Sequence, residues 1–334
     1  MGMARELREA PQILRSQPQM LAAPLAELAR RLRRRPPSLV VTCARGSSAH
    51  AATFAKHLIE LHLGIPVAAA APNIASVYHR RLRLADQLFL AVSQSGRSDD
   101  LIECALMARS AGAVSAALVN DLASPLATAC DIVLPMAAGA EMSVAATKSF
   151  VASLAALAGL TASWAADERL RTALDRLPER VAAAGELDWS AAAEGFATAP
   201  SLIAIGRGPT LAIAREAALK LKEVVNLHAE AFSGAEFQHG PMALVSTRYP
   251  ILVLMPSDAA AEGLRRLAGD LIGKGARVFT AAPDGALPAL APDQPETDAI
   301  CQIQSFYAMV VGLAARRGID PDRARHLQKV TRTR

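Results

Sequence analysis

"ARGSS" at Ala44 recurs as "GRGPT" at Gly206, so Arg45 and Gly46 pair with Arg207 and Gly208 at an offset of 162. The run "LFLAVSQSG" from Leu88 falls on "PILVLMPSD" from Pro250 at the same offset, and "SAGAV" from Ser110 meets "GKGARV" from Gly273 with the glycines 163 apart. Three matches in one order predict two copies of a single α/β unit, each opening with a strand, a glycine-containing turn and a helix. The copies differ at one place above all. Where the first has Ser93-Gln94-Ser95-Gly96, the second has Met255-Pro256-Ser257-Asp258.

Within the first copy, "SLVVTCA" (38–44) is expected as a buried strand, and the helix after it ends at Gly64 and Pro66. "LFLAVSQS", a helix through "DDLIECALMARSAG", "VSAALVN" and "IVLPMA" follow. Short apolar strands alternating with helices predict a parallel sheet covered on both faces, a three-layer αβα arrangement. A helical stretch is expected from about Ser143 to Ala166. The expected organisation is an N-terminal helical segment (1–37), a first domain (38–166), a helical bridge (167–199), a second domain (200–315) and a tail (316–334).

The 334 residues are 52% hydrophobic, enough for a large core in two domains, while 4% aromatic favours helices packed through small side chains. No uncharged apolar run reaches the ~18–20 residues of a membrane span, so no membrane partner is expected. "MGMARELREAPQ" has no apolar stretch behind its charges, so no secretory leader is expected and the cytoplasm is the expected compartment. Cys43, Cys104, Cys130 and Cys301 lie far apart, which predicts buried thiols, and the seven histidines lack metal-ligand spacing. The net charge of +5 gathers in "ARRLRRRPP" (29–37), in Arg80, Arg81 and Arg83, and in the tail from Arg316; the first cluster closes an apolar pattern of Leu21, Leu25, Leu28 and Leu32 before Pro36. A solvated helix end is therefore expected there, and no nucleic-acid partner.

"SQSGRSDD" (93–100) sits where ligands bind in doubly wound sheets, beyond the carboxyl end of a strand. A serine-hydrolase elbow would need glycine at 93 and 97, where Ser93 and Arg97 stand, and no Walker string occurs. Two readings stay open. Ser93, Gln94, Ser95 and Ser98, with Ser47 and Ser48 from the first strand end, can cradle a phosphate at a helix N-terminus; or Ser98 or Asp99 merely caps the next helix.

In the second copy, Glu216, Lys220 and Glu223 lie at i, i+4 and i+7 and share a helix face. Such a stripe can be a solvated salt-bridge ladder. The polar, glycine-bearing stretch "HAEAFSGAEFQHGPMALV" (228–245) after it, which holds His239, has the composition of a functional loop.

Four motifs in order, "SQSGRSDD", "GAEMSVAATKSF" (139–150), "ALKLKEVVNLHAEAFSGAEFQHGP" (218–241) and "RHLQKVTRTR", resemble the sugar-isomerase (SIS) domain pair of glucosamine-6-phosphate synthases. The match runs from about Ser38 to the C-terminus. The opening "MGMAREL" carries no cysteine nucleophile, so no glutaminase domain is expected, and the sequence resembles more closely the stand-alone double-SIS glucosamine-6-phosphate deaminases.

The resemblance implies that Gly46, Ser47, Ser48, Ser93, Gln94, Ser95 and Ser98 hold a hexose 6-phosphate. It implies that Glu223 moves a proton between C1 and C2, with Lys220 beside it, and that His239, lent by the other subunit of a homodimer with shared active sites, assists ring opening. Lys329 would lie over the sugar and form an imine with the ketose. Val144, Ala145 and Ala146 stand where the family has V-A-S, so contacts at Ala146 fall to the backbone. The implied reaction turns glucosamine 6-phosphate and water into fructose 6-phosphate and ammonia, without metal or redox cofactor. Close alternatives are another amino-sugar phosphate such as galactosamine or fructosamine 6-phosphate, an aminotransferase-type isomerase domain, or a non-catalytic phosphosugar sensor.

Overall fold

The computed structural model describes residues 2–329, so Val330–Arg334, the end of the last motif, lie outside the described residues. In chain order the elements are α1 (Gly2–Arg34), β1 (Val40–Ala44), α2 (Gly46–Leu63), β2 (Val67–Ala69), α3 (Asn73–Ser76), β3 (Leu88–Ser93), α4 (Asp99–Ser110), β4 (Val114–Val119), α5 (Pro125–Ala129), β5 (Ile132–Pro135) and α6 (Lys148–Ala165). There follow α7 (Glu168–Gly185), α8 (Ser190–Phe196), β6 (Ser201–Gly206), α9 (Pro209–Val225), β7 (His228–Ser233), β8 (Pro250–Leu254), α10 (Ala261–Gly273), β9 (Arg277–Ala282), β10 (Leu287–Pro288) and α11 (Pro295–Arg316).

The chain forms two compact units. Of the described residues, one holds 12–141, 148–174 and 328–329; the other holds 2–11, 142–147 and 175–327. Each is built on one five-stranded, all-parallel sheet, of order β2-β1-β3-β4-β5 in the first and β10-β9-β8-β6-β7 in the second. Taken from the other edge, the second order is β7-β6-β8-β9-β10, the same topology, so the repeat seen in the sequence is a repeat of fold. β3 and β8, the matched "LFLAV" and "PILVL", are buried at every position. Strands covered on both faces have no reason to alternate, which is why they stand out as unbroken apolar runs.

In the first unit, Phe89, Ala91, Leu101, Cys104, Ala105 and Ala117 form one core cluster. In the second, Ile203, Ile251, Val253, Phe237 and Leu271 do the same. All four cysteines are buried free thiols, as expected. α6 is buried almost all round. It starts at Lys148, so the expected helix from Ser143 loses its first turn; residues 142–147 are irregular.

One further expectation is corrected. "HAEAFS" at 228–233 is edge strand β7, parallel to β6, and only the sequel is loop; its alternating exposure, natural at an edge, hid the strand. The N-terminal helical segment expected over 1–37 is the single helix α1, Gly2–Arg34, although Pro11, Pro18 and Pro24 lie within it. Interior proline removes the donor that the carbonyl four residues earlier requires and costs ~3 kcal/mol. At Pro11 the loss is made good, because Gln304 donates its Nε2 to the Leu7 carbonyl at 2.8 Å. The buried stripe Met3, Leu7, Ala10, Leu14, Leu21, Leu25, Leu28, Leu32 outweighs the rest.

Among the described residues one helix, α11, is long and apolar enough to cross a membrane by mean hydropathy (1.3), contrary to the expectation of no such segment; 78% of that stretch is buried inside the fold.

Candidate functional site

In the first unit, β1 and β3 are neighbours at the centre of the sheet, with Ala44 opposite Val92. The chain leaves β1 towards β2 on one side and enters β4 from β3 on the other, so the two loops beyond Ala44 and Ser93 flank the switch point where such sheets bind ligands. Gly46, Ser47 and Ser48 open α2 on one loop; Ser93, Gln94, Ser95 and Ser98 line the other. Ser98 occupies the N-cap position of α4 but makes no capping bond with its side chain, so the mere-cap reading has no bond to support it. Ser47, Ser48, Gln94, Ser95 and Ser98 are all partly exposed, as ligand-facing groups must be.

The loop is pinned from behind. Ser93 Oγ accepts from the Gly96 amide at 3.1 Å, Gln94 O from the Asn120 amide at 3.2 Å, and Arg97 donates to Asp121 at 2.7 Å. Gly96 has φ +61° and sits so close to Ser124 that a Cβ would lie 2.1 Å from its Oγ. Gly96→Ala therefore strains the backbone by ~1–3 kcal/mol and displaces the loop. We expect it to weaken hexose 6-phosphate binding at least ~10-fold, measured by calorimetry, equivalent to ~1.4 kcal/mol.

Arg45 and Asp100 join the two loops, and neither stood among the expected site residues. Arg45 donates from Nε (3.0 Å) and Nη2 (2.7 Å) to Oδ2 of Asp100, a carboxylate only 2% exposed in the first turn of α4. The pair ties the start of α2 to the start of α4. The sequence held a weak signal for it, an acidic first turn after the loop and an arginine just before the glycine turn.

Lys329 also belongs to this unit. Its Nζ lies 3.1 Å from Oε2 of Glu141, which is fully buried and also accepts from Ser149 Oγ (2.6 Å) and the Ser149 amide (3.2 Å). Glu141 was another residue that spacing could not single out.

The second unit differs at the matching position. Thr210 stands at the offset of Ser48, and unlike Ser48 it is completely buried. Its hydroxyl accepts from the Arg207 amide at 3.0 Å and contacts the Leu254 carbonyl at the end of β8 at 2.8 Å. Thr210 thus stitches β6 and β8 together where the first unit presents partly exposed hydroxyls.

This unit carries Val144, Ala145, Ala146, Lys220, Glu223 and His239. α9 brings Glu216, Lys220 and Glu223 together, but not as a solvated ladder: Glu216 is 0% and Lys220 1% exposed. Lys220 Nζ is 3.2 Å from Glu216 Oε1 and in very short contact with Glu223 Oε2, while Tyr307 donates to Glu216 at 3.2 Å. Burial works against the ammonium, but the two carboxylates outweigh it and hold Lys220 above the usual lysine range. Glu223, whose side chain is 19% exposed, presents a carboxylate backed by a buried cation. His239 is exposed on the loop after β7, next to fully buried Phe237, which anchors that loop. Residues 142–147 are tied down by Glu6, whose carboxylate accepts from the Met142 and Ser143 amides. The expected site residues thus fall in two groups, hydroxyls with Lys329 in one unit and the carboxylate, buried lysine and histidine in the other.

The model of the SIS domain matches residues 36–163 and 195–282. A glutamine–fructose-6-phosphate aminotransferase (isomerizing) from Neisseria meningitidis is 33% identical over 309 residues, covering 86% of this chain and 50% of that protein. The chain spans about half the length of the curated relatives it matches. Among solved structures, a protein from Silicibacter pomeroyi DSS-3 with a provisional phosphosugar isomerase assignment superposes with a TM-score of 0.93 at 44% identity, covering 96% of this chain and 100% of that one. The C-terminal domain of glucosamine-fructose-6-phosphate aminotransferase from Francisella tularensis gives 0.85 at 25% identity (96% and 98% covered). Glucosamine-6-phosphate deaminase from Thermotoga maritima gives 0.79 at 21% (100% of both), a likeness of fold.

Proposed function

The chain belongs to the SIS domain family, and on that premise we propose that it is a glucosamine-6-phosphate deaminase, converting glucosamine 6-phosphate and water to fructose 6-phosphate and ammonia. The observation that carries the reading is Glu223, a partly exposed carboxylate held against the buried, charged Lys220. A protein that only sensed a phosphosugar would have no need of that arrangement.

In this reading the hydroxyls of Ser47, Ser48, Ser93, Ser95 and Ser98 and the Gln94 amide take the phosphate at the start of α4, and the backbone at Gly46 and Val144–Ala146 contacts the sugar. Phosphate binding, remote from the reacting carbons, supplies energy for orienting C1 and C2. His239, exposed on its loop, serves a neighbouring subunit of a cytoplasmic homodimer by moving the proton that opens the ring. Glu223 then takes the C2 proton and returns it to C1, turning the 2-amino aldehyde into a C2 imine. Water adds to that imine; the C2–N bond breaks, ammonia leaves and the ketose remains. Lys329, whose Nζ lies 3.1 Å from Glu141 Oε2, forms the imine with the ketose.

The test is incubation of the purified chain with glucosamine 6-phosphate, with ammonia and fructose 6-phosphate expected one for one. If neither forms, the reading fails. The relatedness to aminotransferases supports a second reading, in which the same site works toward synthesis with ammonia from a glutaminase partner. Net amination of fructose 6-phosphate by added ammonia, with no deamination, would favour it. Galactosamine and fructosamine 6-phosphates run in parallel rank the amino-sugar substrates.

A further inference from the structure

The ion pair of Arg45 and Asp100 is made in one copy of the repeat only. At the offset of 162 its counterparts are Arg207 and Glu262, and Glu262, like Asp100, is the second residue of the helix that follows the central strand. The residue types therefore permit the same pair in both units. In the second unit it is not made: Glu262, 76% exposed, accepts from Arg266 one helical turn on at 2.9 Å, and Arg207 stands exposed. In the first unit Asp100 is 2% exposed and takes both Nε and Nη2 of Arg45 on Oδ2. The pair is present where the hydroxyl loop is present, and absent where "MPSD" has replaced that loop.

Burial makes this contact stiff. A carboxylate taken out of water needs a cation or donors beside it, so Asp100 holds Arg45 whenever the unit is folded. Arg45 occupies the N-cap position of α2, makes no capping bond with its side chain, and directly precedes Gly46, Ser47 and Ser48. Asp100 follows Ser98 by two residues in the first turn of α4. One charge-assisted contact thus fixes the distance between two hydroxyl-bearing loops that lie far apart along the chain. Hydroxyls hold a phosphate oxygen only at about 2.5–3.0 Å, and in such a constellation a misplacement of ~1 Å is costly.

We propose that Arg45 and Asp100 are positioning residues of the phosphosugar site: they set the spacing at which Ser47 and Ser48 on one side, and Ser95 and Ser98 on the other, converge on the phosphate. The proposal rests on the reading of these two loops as the phosphate cradle. It gives the pair no contact with the substrate. The two charges cancel, so the pair adds no net attraction for a dianion. What it supplies is geometry, while the hydroxyls and the start of α4 supply the donors. The pair therefore acts on affinity and not on the proton transfers assigned to Glu223.

Calorimetric binding of an unreactive hexitol 6-phosphate to the full chain tests this without turnover. Asp100→Ala removes the buried charge, leaves Arg45 to water, and should raise the Kd at least ~10-fold. Arg45→Met should do the same, and Arg45→Lys, which keeps a cation beside Asp100, should recover part of the loss. The double variant Arg45→Met with Asp100→Ala should bind no more weakly than Asp100→Ala alone, because each change breaks the same contact. Arg207→Met, at the counterpart position of the second unit, should leave the Kd unchanged. If Arg45→Met fails to fold by circular dichroism, Asp100→Ala decides. In turnover of glucosamine 6-phosphate the loss should lie in KM, with kcat nearly unchanged. The proposal is overturned if Asp100→Ala shifts the urea midpoint but not the Kd, which makes the pair structural; if the double variant binds more weakly than either single one, which makes Arg45 a phosphate contact; or if the wild-type chain binds no hexitol 6-phosphate. Absence of turnover, with binding retained and weakened by Asp100→Ala, overturns the deaminase reading and leaves this one standing.

Discussion

Glu223→Gln is expected to lower kcat for glucosamine 6-phosphate by ~10²–10⁴-fold, the usual contribution of a positioned general base, with KM nearly unchanged. The substitution is nearly isosteric, and the amide oxygen can still accept from Lys220, so the local packing survives. What disappears is the capacity to take the C2 proton. Because that interaction is made only on the way to the transition state, kcat and kcat/KM should fall together. Steady-state kinetics with calorimetric binding of hexitol 6-phosphate separates the outcomes, and a loss of binding in parallel with kcat would make Glu223 a structural residue.

Lys220→Met should cost stability more than any surface substitution. Glu216 is fully buried, and Lys220 is its ion-pair partner at 3.2 Å; removing one member of a buried pair leaves an uncompensated charge, worth ~3–5 kcal/mol. Urea unfolding should show the loss as a shifted midpoint at constant slope, and Lys220→Met with Glu216→Leu should recover much of it, since a buried pair replaced by apolar groups is often neutral. The pH dependence has a definite sign. A lysine held above its ordinary value contributes stability that is fully present below about 10.5 and disappears as pH rises through its folded value. The gap between wild type and Lys220→Met should therefore be flat through neutral pH and shrink only in strong alkali. A gap that instead shrank below pH 8 would show that Lys220 is not held charged.

The helix face of Glu216, Lys220 and Glu223 was visible in the spacing alone, because 3.6 residues per turn puts i, i+4 and i+7 together. Whether that face was solvated was not visible, since burial is decided by Tyr307 and other residues about ninety positions away. Asp100, Arg45 and Glu141 went unnoticed for the same reason: their meaning lies in partners that only the sheet brings near. The helical character of residues 1–37 was legible, but not that they form one continuous helix through three prolines: the cost of each proline is local, while the buried stripe and Gln304 that offset it are tertiary.

The sequence by itself determined that there are two copies of one parallel α/β unit and that only the first keeps a hydroxyl loop, because strand periods, glycine turns and the offset of 162 are written along the chain. The tertiary structure alone decided what became of the second copy. A threonine in place of Ser48 is buried and hydrogen-bonds the Leu254 carbonyl, and a cavity of about 270 Å³ stands one strand away. Burial and hydrogen-bond satisfaction depend on which distant groups meet, and that information exists only once the chain has folded.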